Sequence, residues 1–328
     1  MQPEAIKNVA VIGAGSWGTA LAQASAVAGR RVTLVCRDPE QVAEINTRHT
    51  NSRALGALPL DAGLVAALAL PADVDLAILA VPAQQSAAAL GVHGRMLGGL
   101  PVVLSAKGLE AGTLRRQSEI LLDLVPTATP LVLSGPSFAE DVAAGRPTAV
   151  TLASPDGAMA DAVAAALAGP GLRLYAAGDM IGVELAGGLK NVYALACGAV
   201  EGAGLGASAR AALIARAFAE MARLVVALGG NAGTLTGLAG LGDLTLSCTS
   251  AQSRNYATGL ALGRGEILVE GRRPLAEGVF TAPVAQAIAR RQGVDVPLID
   301  AVVLLLSGRA AIADIVSGLM SRPLKRED

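Results

Sequence analysis

The stretch NVAVIGAGSWG, residues 8–18, joins a short β-branched run directly to a Gly-x-Gly-x-x-Gly pattern. The run NVAVI predicts a strand, and the pattern consists of Gly13, Gly15 and Gly18. An Ala-rich segment of helical character follows, and RRVTLVC (30–36) resumes strand character. Glycines at this spacing permit a tight turn, close backbone approach to a pyrophosphate and close helix–sheet packing. The stretch therefore predicts a βαβ unit that binds a dinucleotide at the start of its helix.

Further strand-like runs follow this unit, and helix-like segments separate most of them. The runs are VDLAILAV (74–81), PVVLSA (101–106), PLVLS (130–134), TAVTLA (148–153) and LRLYA (172–176). Because near-continuous apolar strands that alternate with helices are buried on both faces, they predict a mostly parallel sheet. We expect an α/β Rossmann-like domain over residues 1–179.

The character of the chain changes after about Asp179. From Met180 onward the segments are long, rich in Ala and Leu at helical spacing, and broken by Gly-rich turns. No convincing strand pattern follows, and no low-complexity linker separates the two halves. The pattern predicts an all-α domain over residues 180–328 that packs tightly against the first domain.

The composition is that of a compact protein, with 52% hydrophobic and 16% charged residues. The net charge is -1 and no basic block is present, so nucleic acid is not an expected partner. The N-terminal MQPEAIKN lacks the apolar core of a signal peptide, and AVVLLL (301–306) is too short to span a bilayer. Cys36, Cys197 and Cys248 show no CxxC spacing, which argues against a metal site. We expect a cytoplasmic protein without stable membrane insertion.

The end of the second predicted strand carries Arg37 followed by Asp38. Dinucleotide-binding folds read the ribose attached to adenine at this place. An arginine can pair with the 2′-phosphate of NADP(H), whereas an aspartate can accept hydrogen bonds from the ribose hydroxyls of NAD(H). A solvated turn residue is the alternative interpretation of Arg37. We predict NADPH as the preferred cofactor, with NADH also accepted.

Marked residues also follow later predicted strands. Lys107 comes after VVLSA, and SGPSFAED (134–141) comes after LVL. Ligands of open parallel sheets lie outside the carboxyl ends of the strands, so we expect Lys107 and Ser137 to face the crevice lined by the glycine loop. The letters SFAE (137–140) also fit a capping box, with Ser137 as the N-cap and Glu140 at N3.

The chain strongly resembles the bacterial NAD(P)-dependent glycerol-3-phosphate dehydrogenases over nearly its whole length. The SGPSFA, LKN and GLGDL…SRN blocks are more specific than the glycine pattern. The matching segments are GAGSWGTALA (13–22), AVP (80–82), AKGLE (106–110), SGPSFAEDVAAGRPTAV (134–150), GVELAGGLKNVYALACG (182–198), ARAALIARAFAEMARL (209–224) and GLAGLGDLTLSCTSAQSRN (237–255). The resemblance implies this two-domain fold, a homodimer, and reversible reduction of dihydroxyacetone phosphate to sn-glycerol 3-phosphate for phospholipid synthesis.

The resemblance also implies roles for individual residues. Lys190 matches the proton-transfer group of the family. The residues that match substrate contacts are Lys107, Gly135, Ser137, Lys190, Asp243, Ser253, Arg254 and Asn255. Those that match cofactor contacts are Ser16, Trp17, Arg37, Lys107, Ala139, Arg254 and Glu277. These cofactor-contact residues, together with the glycine loop and Asp38, form the predicted cofactor site.

Three positions depart from the family pattern. Ala54 stands where an aromatic residue is common, which we expect to loosen the cover of that loop over the cofactor. Ser208 replaces a usual Asn, and Ala276 replaces the Val that normally precedes the Glu. These changes remove no charged catalytic group, so the implied substrate and reaction stand.

Reduction of a ketone requires a group that polarises and then protonates the carbonyl oxygen as negative charge develops. His49 and His93 lie away from the marked motifs, so we expect both at the solvated surface. Lys190 lies within the apolar segment VELAGGLKNVYALACG (183–198). A surface lysine that extends its ammonium to water is one interpretation. We favour the other: an ammonium in an apolar site beside a second cation has a lowered pKa and can donate a proton.

Other residues fit supporting roles around Lys190. Gly187 and Gly188 lie on the preceding turn and are expected to leave room for nicotinamide or substrate. Asp243 is expected to orient the ammonium or bind a substrate hydroxyl, with a helix cap as the alternative. Arg254 offers a planar, bidentate partner for the substrate phosphate, with a surface helix start as the alternative.

Two other functions fit parts of the pattern. One is a related hydroxyacid dehydrogenase with the same two domains and a Lys-Asn pair on a C-terminal helix. The Ser-Arg-Asn cluster at 253–255 and the SGPSFA turn favour the triose phosphate over that alternative. The other is a protein that senses NADPH without catalysis, and the presence of Lys190 argues against it.

Overall fold

The computed structural model describes residues 6–267, 276–323 and 326. The predicted domains also include residues 1–5, 268–275, 324–325 and 327–328, which lie outside the described residues. No helix in the described ranges is both long and apolar enough to cross a membrane.

Within residues 6–267, eight strands form one sheet. They are β1 (Asn8–Ile12), β2 (Arg31–Val35), β3 (Val65–Ala67), β4 (Leu76–Leu79), β5 (Pro101–Leu104), β6 (Thr129–Ser134), β7 (Thr148–Ala153) and β8 (Leu172–Ala177). Their order across the sheet is β3-β2-β1-β4-β5-β6-β7-β8. The neighbours from β3 to β6 are all parallel. The prediction of a Rossmann-like, mostly parallel sheet is therefore confirmed.

The last two strands run opposite to the others. β6 pairs with β7 in antiparallel fashion, with Val132 opposite Ala153, and β7 pairs with β8 in parallel. The connection between β6 and β7 holds only the short helix α6 (Ala139–Ala143). Parallel neighbours need a crossover that carries the chain back along the sheet, usually on a full helix. Because α6 is too short for that, the chain returns antiparallel.

Helices cover both faces of the sheet. Those of the N-terminal region are α1 (Ser16–Val27), α2 (Pro39–Arg48), α3 (Ser52–Leu55), α4 (Ser86–Leu97), α5 (Gln117–Leu124), α6 and α7 (Gly157–Leu167). Alternate residues of β1 enter separate apolar clusters, Val9 and Val11 on one face and Ala10 and Ile12 on the other. Burial on both faces explains the continuous apolar runs in the sequence.

Two details of the sheet differ from the sequence prediction. The runs VDLAILAV and PVVLSA form strands only over Leu76–Leu79 and Pro101–Leu104. Strand β3 was not predicted, because its residues VAA carry no alternation and little β-branched character. It forms through backbone pairing with β2, where Thr33 lies opposite Val65. Tertiary pairing thus overrides a weak local preference.

After β8, the described chain contains helices and turns only. The helices are α8 (Met180–Gly202), α9 (Ala207–Ala227), α10 (Asp243–Thr249), α11 (Arg254–Gly263), α12 (Glu277–Gln292), α13 (Pro297–Leu306) and α14 (Ile312–Met320), with helical turns at Ala232–Thr236 and Leu238–Gly242. The side chains of α8 are almost entirely buried, and they form the centre of the apolar cluster of this region. The prediction of a helical C-terminal region is confirmed.

Glycines allow α8 and α11 to approach each other at backbone distance. A Cβ atom at Gly198 of α8 would lie 2.0 Å from the carbonyl oxygen of Tyr256. A Cβ atom at Gly259 of α11 would likewise lie 2.0 Å from the carbonyl oxygen of Leu195. Any larger residue at either position would push the two helices apart. This contact fixes the start of α11, which carries Arg254, relative to α8.

Candidate active site

A cluster of charged side chains lies where the helical region meets the ends of the strands. Lys190 of α8 donates hydrogen bonds to Oδ1 of Asp243 and to Oγ of Ser247, the latter at 3.0 Å. Lys107, which follows β5, donates to Oδ2 of Asp243 at 2.8 Å and to the carbonyl oxygen of Gly135 at 2.9 Å. Two ammonium groups therefore share one carboxylate.

The interior of the protein holds this cluster away from water. Asp243 is fully buried and Lys190 is only 6% exposed. Burial lowers the pKa of Lys190 to about 8, with attraction to Asp243 opposing the shift and repulsion from Lys107 adding to it. The interpretation of Lys190 as a surface lysine that extends to solvent is thus wrong. The cost of burying its ammonium is offset by the Asp243 carboxylate.

The glycines before Lys190 serve helix packing. A Cβ atom at Gly187 would lie 2.6 Å from Oγ of Ser134, at the end of β6. A Cβ atom at Gly188 would lie 3.6 Å from Cα of Gly108, in the segment after β5. At Gly187 the prediction of open space for nicotinamide or substrate is wrong, because Ser134 fills that space, whereas a Cβ atom at Gly188 would make an ordinary van der Waals contact. These glycines bring α8 against the strand ends and so place Lys190 beside Lys107.

Two asparagines hold the surrounding elements together. Asn191 donates through Nδ2 to the carbonyl oxygen of Lys107 at 2.7 Å. Asn255 of α11 donates to Oδ1 of Asn191 at 2.9 Å and accepts from the backbone N–H of Gly278 in α12 at 2.8 Å. Both side chains are buried. This chain of hydrogen bonds ties α8, α11 and α12 to the segment after β5.

Arg254 stands at the exposed edge of this network, as the first residue of α11. The hydroxyl of the buried Ser253 caps the helix by accepting from the backbone N–H of Tyr256. Glu277 of α12 accepts from the backbone N–H of Ala83 at 3.2 Å through Oε1. Its Oε2 is buried and has no hydrogen-bond partner among the described residues, and burial raises the pKa of this carboxyl.

The glycine loop precedes Trp17, whose ring lies near the Lys107 ammonium of this cluster. Gly13 has a φ of +112°, and a Cβ atom there would lie 2.7 Å from the carbonyl oxygen of Ala80 in the turn after β4. At Gly18 a Cβ atom would lie 1.8 Å from the carbonyl oxygen of Gly13. Both positions thus require glycine for the close passage of the chain. Gly15 has free space around it, so its backbone is open to a ligand.

Residues at the start of α1 and the end of β2 border this loop. Ser16 is exposed and donates to the carbonyl oxygen of Ala54 at 2.6 Å. The Trp17 ring lies 5.8 Å from the Lys107 ammonium, and its Nε1 is buried with no hydrogen-bond partner in the part of the chain that the structure describes. Arg37 is exposed, whereas Asp38 caps α2. The loop thus combines open backbone, an exposed cation and a buried donor that no described residue satisfies.

The predicted capping box at 137–140 does not form. The N-cap of α6 is Phe138, and no side chain caps this helix. Ser137 instead donates to the carbonyl oxygen of Gly135 at 2.9 Å, the same oxygen that Lys107 contacts. Gly135 has a φ of +147°, which turns the chain sharply after β6 and moves the helix start one residue further on. Ala139 is the first residue of α6.

Several remaining residues lie apart from the cluster or were overlooked. His49 ends α2, and His93 lies in α4; both are half-buried rather than fully solvated, and burial lowers the pKa of His93. Ser208 is exposed on α9, and Ala276 is the buried N-cap of α12. Ser247 was missed, although it lies one helical turn after Asp243 and so on the same face.

The fold and the glycine loop define a class, the dinucleotide-binding oxidoreductases with a Rossmann-like sheet and a helical C-terminal region. Residues 8–160 match the family model described as NAD-dependent glycerol-3-phosphate dehydrogenase N-terminus. Residues 179–317 match the model described as the C-terminus of the same enzymes. The chain belongs to the NAD-dependent glycerol-3-phosphate dehydrogenase family, as the sequence resemblance indicated.

Individual proteins agree with this assignment. Glycerol-3-phosphate dehydrogenase (NAD(P)+) of Caulobacter vibrioides is 50% identical over 98% of this chain and 99% of its own length. The crystal structure of glycerol-3-phosphate dehydrogenase from Coxiella burnetii aligns with a TM-score of 0.89 and 36% identity, over 96% of this chain and 99% of that one. The structure of D-mandelate dehydrogenase with NADH aligns with a TM-score of 0.59 and 17% identity, over 92% of this chain and 98% of that one. This similarity shows a shared fold alone.

Proposed function

We propose that this chain catalyses the reversible, NAD(P)H-dependent reduction of dihydroxyacetone phosphate to sn-glycerol 3-phosphate, for glycerophospholipid synthesis. The similarity to glycerol-3-phosphate dehydrogenases over nearly the whole chain supports this reaction. The observation that carries the proposal is the buried Asp243 carboxylate shared by Lys190 and Lys107. A carbonyl oxygen beside this cluster meets fixed cations as its negative charge develops.

The residues around the glycine loop fit NADPH or NADH. Gly13, Gly15 and Gly18 open the backbone at the start of α1, where a pyrophosphate is favoured. Nε1 of Trp17 and Oε2 of Glu277 are among the buried polar atoms that have no partner within the described residues, as expected where a ligand completes a site. We assign the cofactor to these residues together with Ser16, Arg37, Asp38, Lys107, Ala139 and Arg254. Hydride transfer to the carbonyl carbon is the chemistry that this cofactor supplies when bound.

Lys190 is the proposed proton donor. An ammonium group carries three N–H donors, and Asp243 and Ser247 accept two of those of Lys190. The third is available to the substrate oxygen. With a pKa of about 8, Lys190 is mostly protonated at neutral pH yet releases its proton far more readily than an exposed lysine. Asp243 positions the ammonium, and in the reverse direction the neutral amine takes the proton back.

Arg254 is the proposed partner of the substrate phosphate. Its guanidinium is exposed at the first position of α11, so a phosphate there also meets the backbone N–H groups at the start of that helix. Asn255 and Ser253 hold the helix start in place through the contacts described above. We assign the remaining substrate contacts to Lys107 and to Gly135 and Ser137 in the turn after β6.

Several broader features are proposed with the reaction. The division into a domain over residues 1–179 and another over 180–328 is supported by the end of β8 at Ala177 and the start of α8 at Met180. A homodimer and a cytoplasmic location are proposed from the sequence resemblance.

A spectrophotometric assay of NADPH oxidation tests the proposed reaction. The purified chain should oxidise NADPH when dihydroxyacetone phosphate is added, and should do so less efficiently with NADH. A panel of 2-keto acids serves as the control, because a hydroxyacid dehydrogenase of the same fold would use these instead. Oxidation with a keto acid but not with the triose phosphate would refute the proposal.

A further inference from the structure

Both oxygens of the Asp38 carboxylate, which follows β2, have a hydrogen-bond partner. Its Oδ1 accepts from the backbone N–H of Glu40 at 3.0 Å and so caps α2. Its Oδ2 forms an ion pair with Nη1 of Arg53 at 2.9 Å. A carboxylate in this part of a dinucleotide-binding fold can accept hydrogen bonds from the adenosine ribose, which favours NADH. In this chain each oxygen already accepts one hydrogen bond and Arg53 neutralises the charge, so that role is weakened.

Arg53 reaches Asp38 because its loop is anchored on the glycine loop. Asn51 donates to the carbonyl oxygen of Ala14 at 3.2 Å and to Oγ1 of Thr19 at 2.8 Å. On the other side of Arg53, the carbonyl oxygen of Ala54 accepts from Ser16 at 2.6 Å. The short helix α3 therefore lies across the start of α1, next to the end of β2.

The Arg53–Asp38 pair has little to offer folding. The Arg53 side chain is 73% exposed, and an exposed pair contributes little to stability because water and salt screen it. It does alter the charge beside Arg37. Arg37 and Asp38 alone would cancel, whereas the three side chains together carry one net positive charge.

We propose that Arg53 is a positioning residue that sets the preference for NADPH over NADH by holding and neutralising Asp38. This inference rests on the proposed use of NADPH. An unpaired Asp38 would repel the 2′-phosphate and would be free to accept from a ribose hydroxyl. With Arg53 in place, the exposed Arg37 faces the 2′-phosphate without a competing anion.

Calorimetric titration with two cofactor fragments tests this without any turnover. The fragments are 2′,5′-ADP, which carries the 2′-phosphate, and 5′-AMP, which does not. Arg53→Gln should weaken 2′,5′-ADP binding by about threefold to tenfold, in keeping with the loss of an exposed charge pair, with no loss for 5′-AMP. Arg53→Lys should restore most of the affinity. Arg48→Gln, which removes an exposed arginine at the end of α2, should affect neither fragment.

The Asp38→Asn background shows whether Arg53 acts through Asp38. In that background Arg53→Gln should have little further effect, because no carboxylate remains to be neutralised. An undiminished loss of 2′,5′-ADP affinity there would overturn the inference in favour of direct contact with the phosphate. Equal weakening of both fragments would overturn it in favour of a loop-supporting role. Turnover of dihydroxyacetone phosphate by the parent is measured separately. A failure of the proposed reaction can therefore be distinguished from a failure of the proposed role of Arg53.

Discussion

The inner and outer parts of the proposed site hold their charges differently. At the inner end, Lys190 and Asp243 are buried and paired, and Lys107 completes the pairing. At the outer end, Arg37 and Arg254 are exposed, and neither forms an ion pair with another described residue. The inner charges are fixed before any ligand arrives, whereas the outer charges are free to meet an anion.

The difference follows from what each part has to do. A proton donor must act where charge develops during the reaction, and preorganised groups in a dry site stabilise that charge without rearrangement. A phosphate brings its own charge and is recognised at the surface by a planar guanidinium fork. Substitutions at the inner end should therefore change the rate of the reaction, and those at the outer end should change the affinity for a ligand.

The largest effect is expected at Lys190. Lys190→Met keeps much of the side-chain volume and removes the ammonium, so kcat should fall by about 100- to 10,000-fold, as for other positioned acids. Asp243 keeps its ion pair with Lys107, so the variant should fold. Turnover is measured under saturating NADPH and dihydroxyacetone phosphate, together with thermal melting and NADPH titration.

Lys190→Ala serves as the companion variant and should be as inactive as the Met variant. NADPH affinity should stay near that of the parent in both, because the glycine loop lies in the other region of the chain. A Met variant that turns over substrate at nearly the parent rate would remove Lys190 from the mechanism.

Arg254→Lys tests the outer end at the substrate. A charge-assisted hydrogen bond is worth roughly 1.5–3 kcal/mol. Because a point ammonium cannot reproduce the fork, KM for dihydroxyacetone phosphate should rise by about tenfold or more. Unphosphorylated dihydroxyacetone is the control and should be equally poor for both proteins. An unchanged KM would place the phosphate at Lys107 or at the start of α6 instead.

Much of the fold could be predicted because its signals are local. The strand–glycine–helix stretch at 8–18 and the apolar runs after it specify the parallel sheet through burial on both faces. The antiparallel pairing of β6 and β7 could not be predicted from local signals, because it depends on how far the short connection between them can carry the chain. Strand β3 was missed for a related reason: its pairing with β2 is long-range, and its own residues favour no structure.

The residues that carry the chemistry of the site were easier to predict than the contacts that their side chains make. The sequence marks Lys190 as a charge in an apolar helix and Asp243 as an acid in a glycine-rich turn. The sharing of Asp243 by two lysines depends on how closely α8 approaches the strand ends, and the absence of a side chain at Gly187 permits that approach. The direction in which a side chain points also could not be predicted from the sequence. The sequence pattern predicted that Ser137 caps a helix, yet its hydroxyl donates to the carbonyl oxygen of Gly135.

Arg37→Ala tests the outer end at the cofactor. KM for NADPH should rise relative to KM for NADH, because the charge-assisted contact to the 2′-phosphate is lost. Since Arg37 is exposed, salt screens that contact, and we expect a change of about tenfold at low ionic strength that shrinks as salt is added. Both constants are measured in parent and variant at two salt concentrations. A rise by the same factor for both cofactors would show that Arg37 does not read the phosphate.

The smallest effect is the pH dependence of the inner end. Lys190 donates a proton during reduction, so the protonated form is the active one, and its pKa of about 8 sets the upper limit of the active range. At about pH 8 half of the enzyme carries the proton, so kcat/KM for reduction should be about half its value at lower pH and should fall further above that. Oxidation of glycerol 3-phosphate needs the neutral amine and should rise over the same range.

Asp243→Asn sharpens this test. The attraction of Asp243 raises the pKa of Lys190 against the effect of burial, and repulsion from Lys107 lowers it. The substitution removes the attraction and keeps the repulsion, so the decline in the reduction rate should move to lower pH. The position of the decline is independent of how much activity the variant retains. A decline that stays where it is in the parent, or moves to higher pH, would mean that a different group donates the proton.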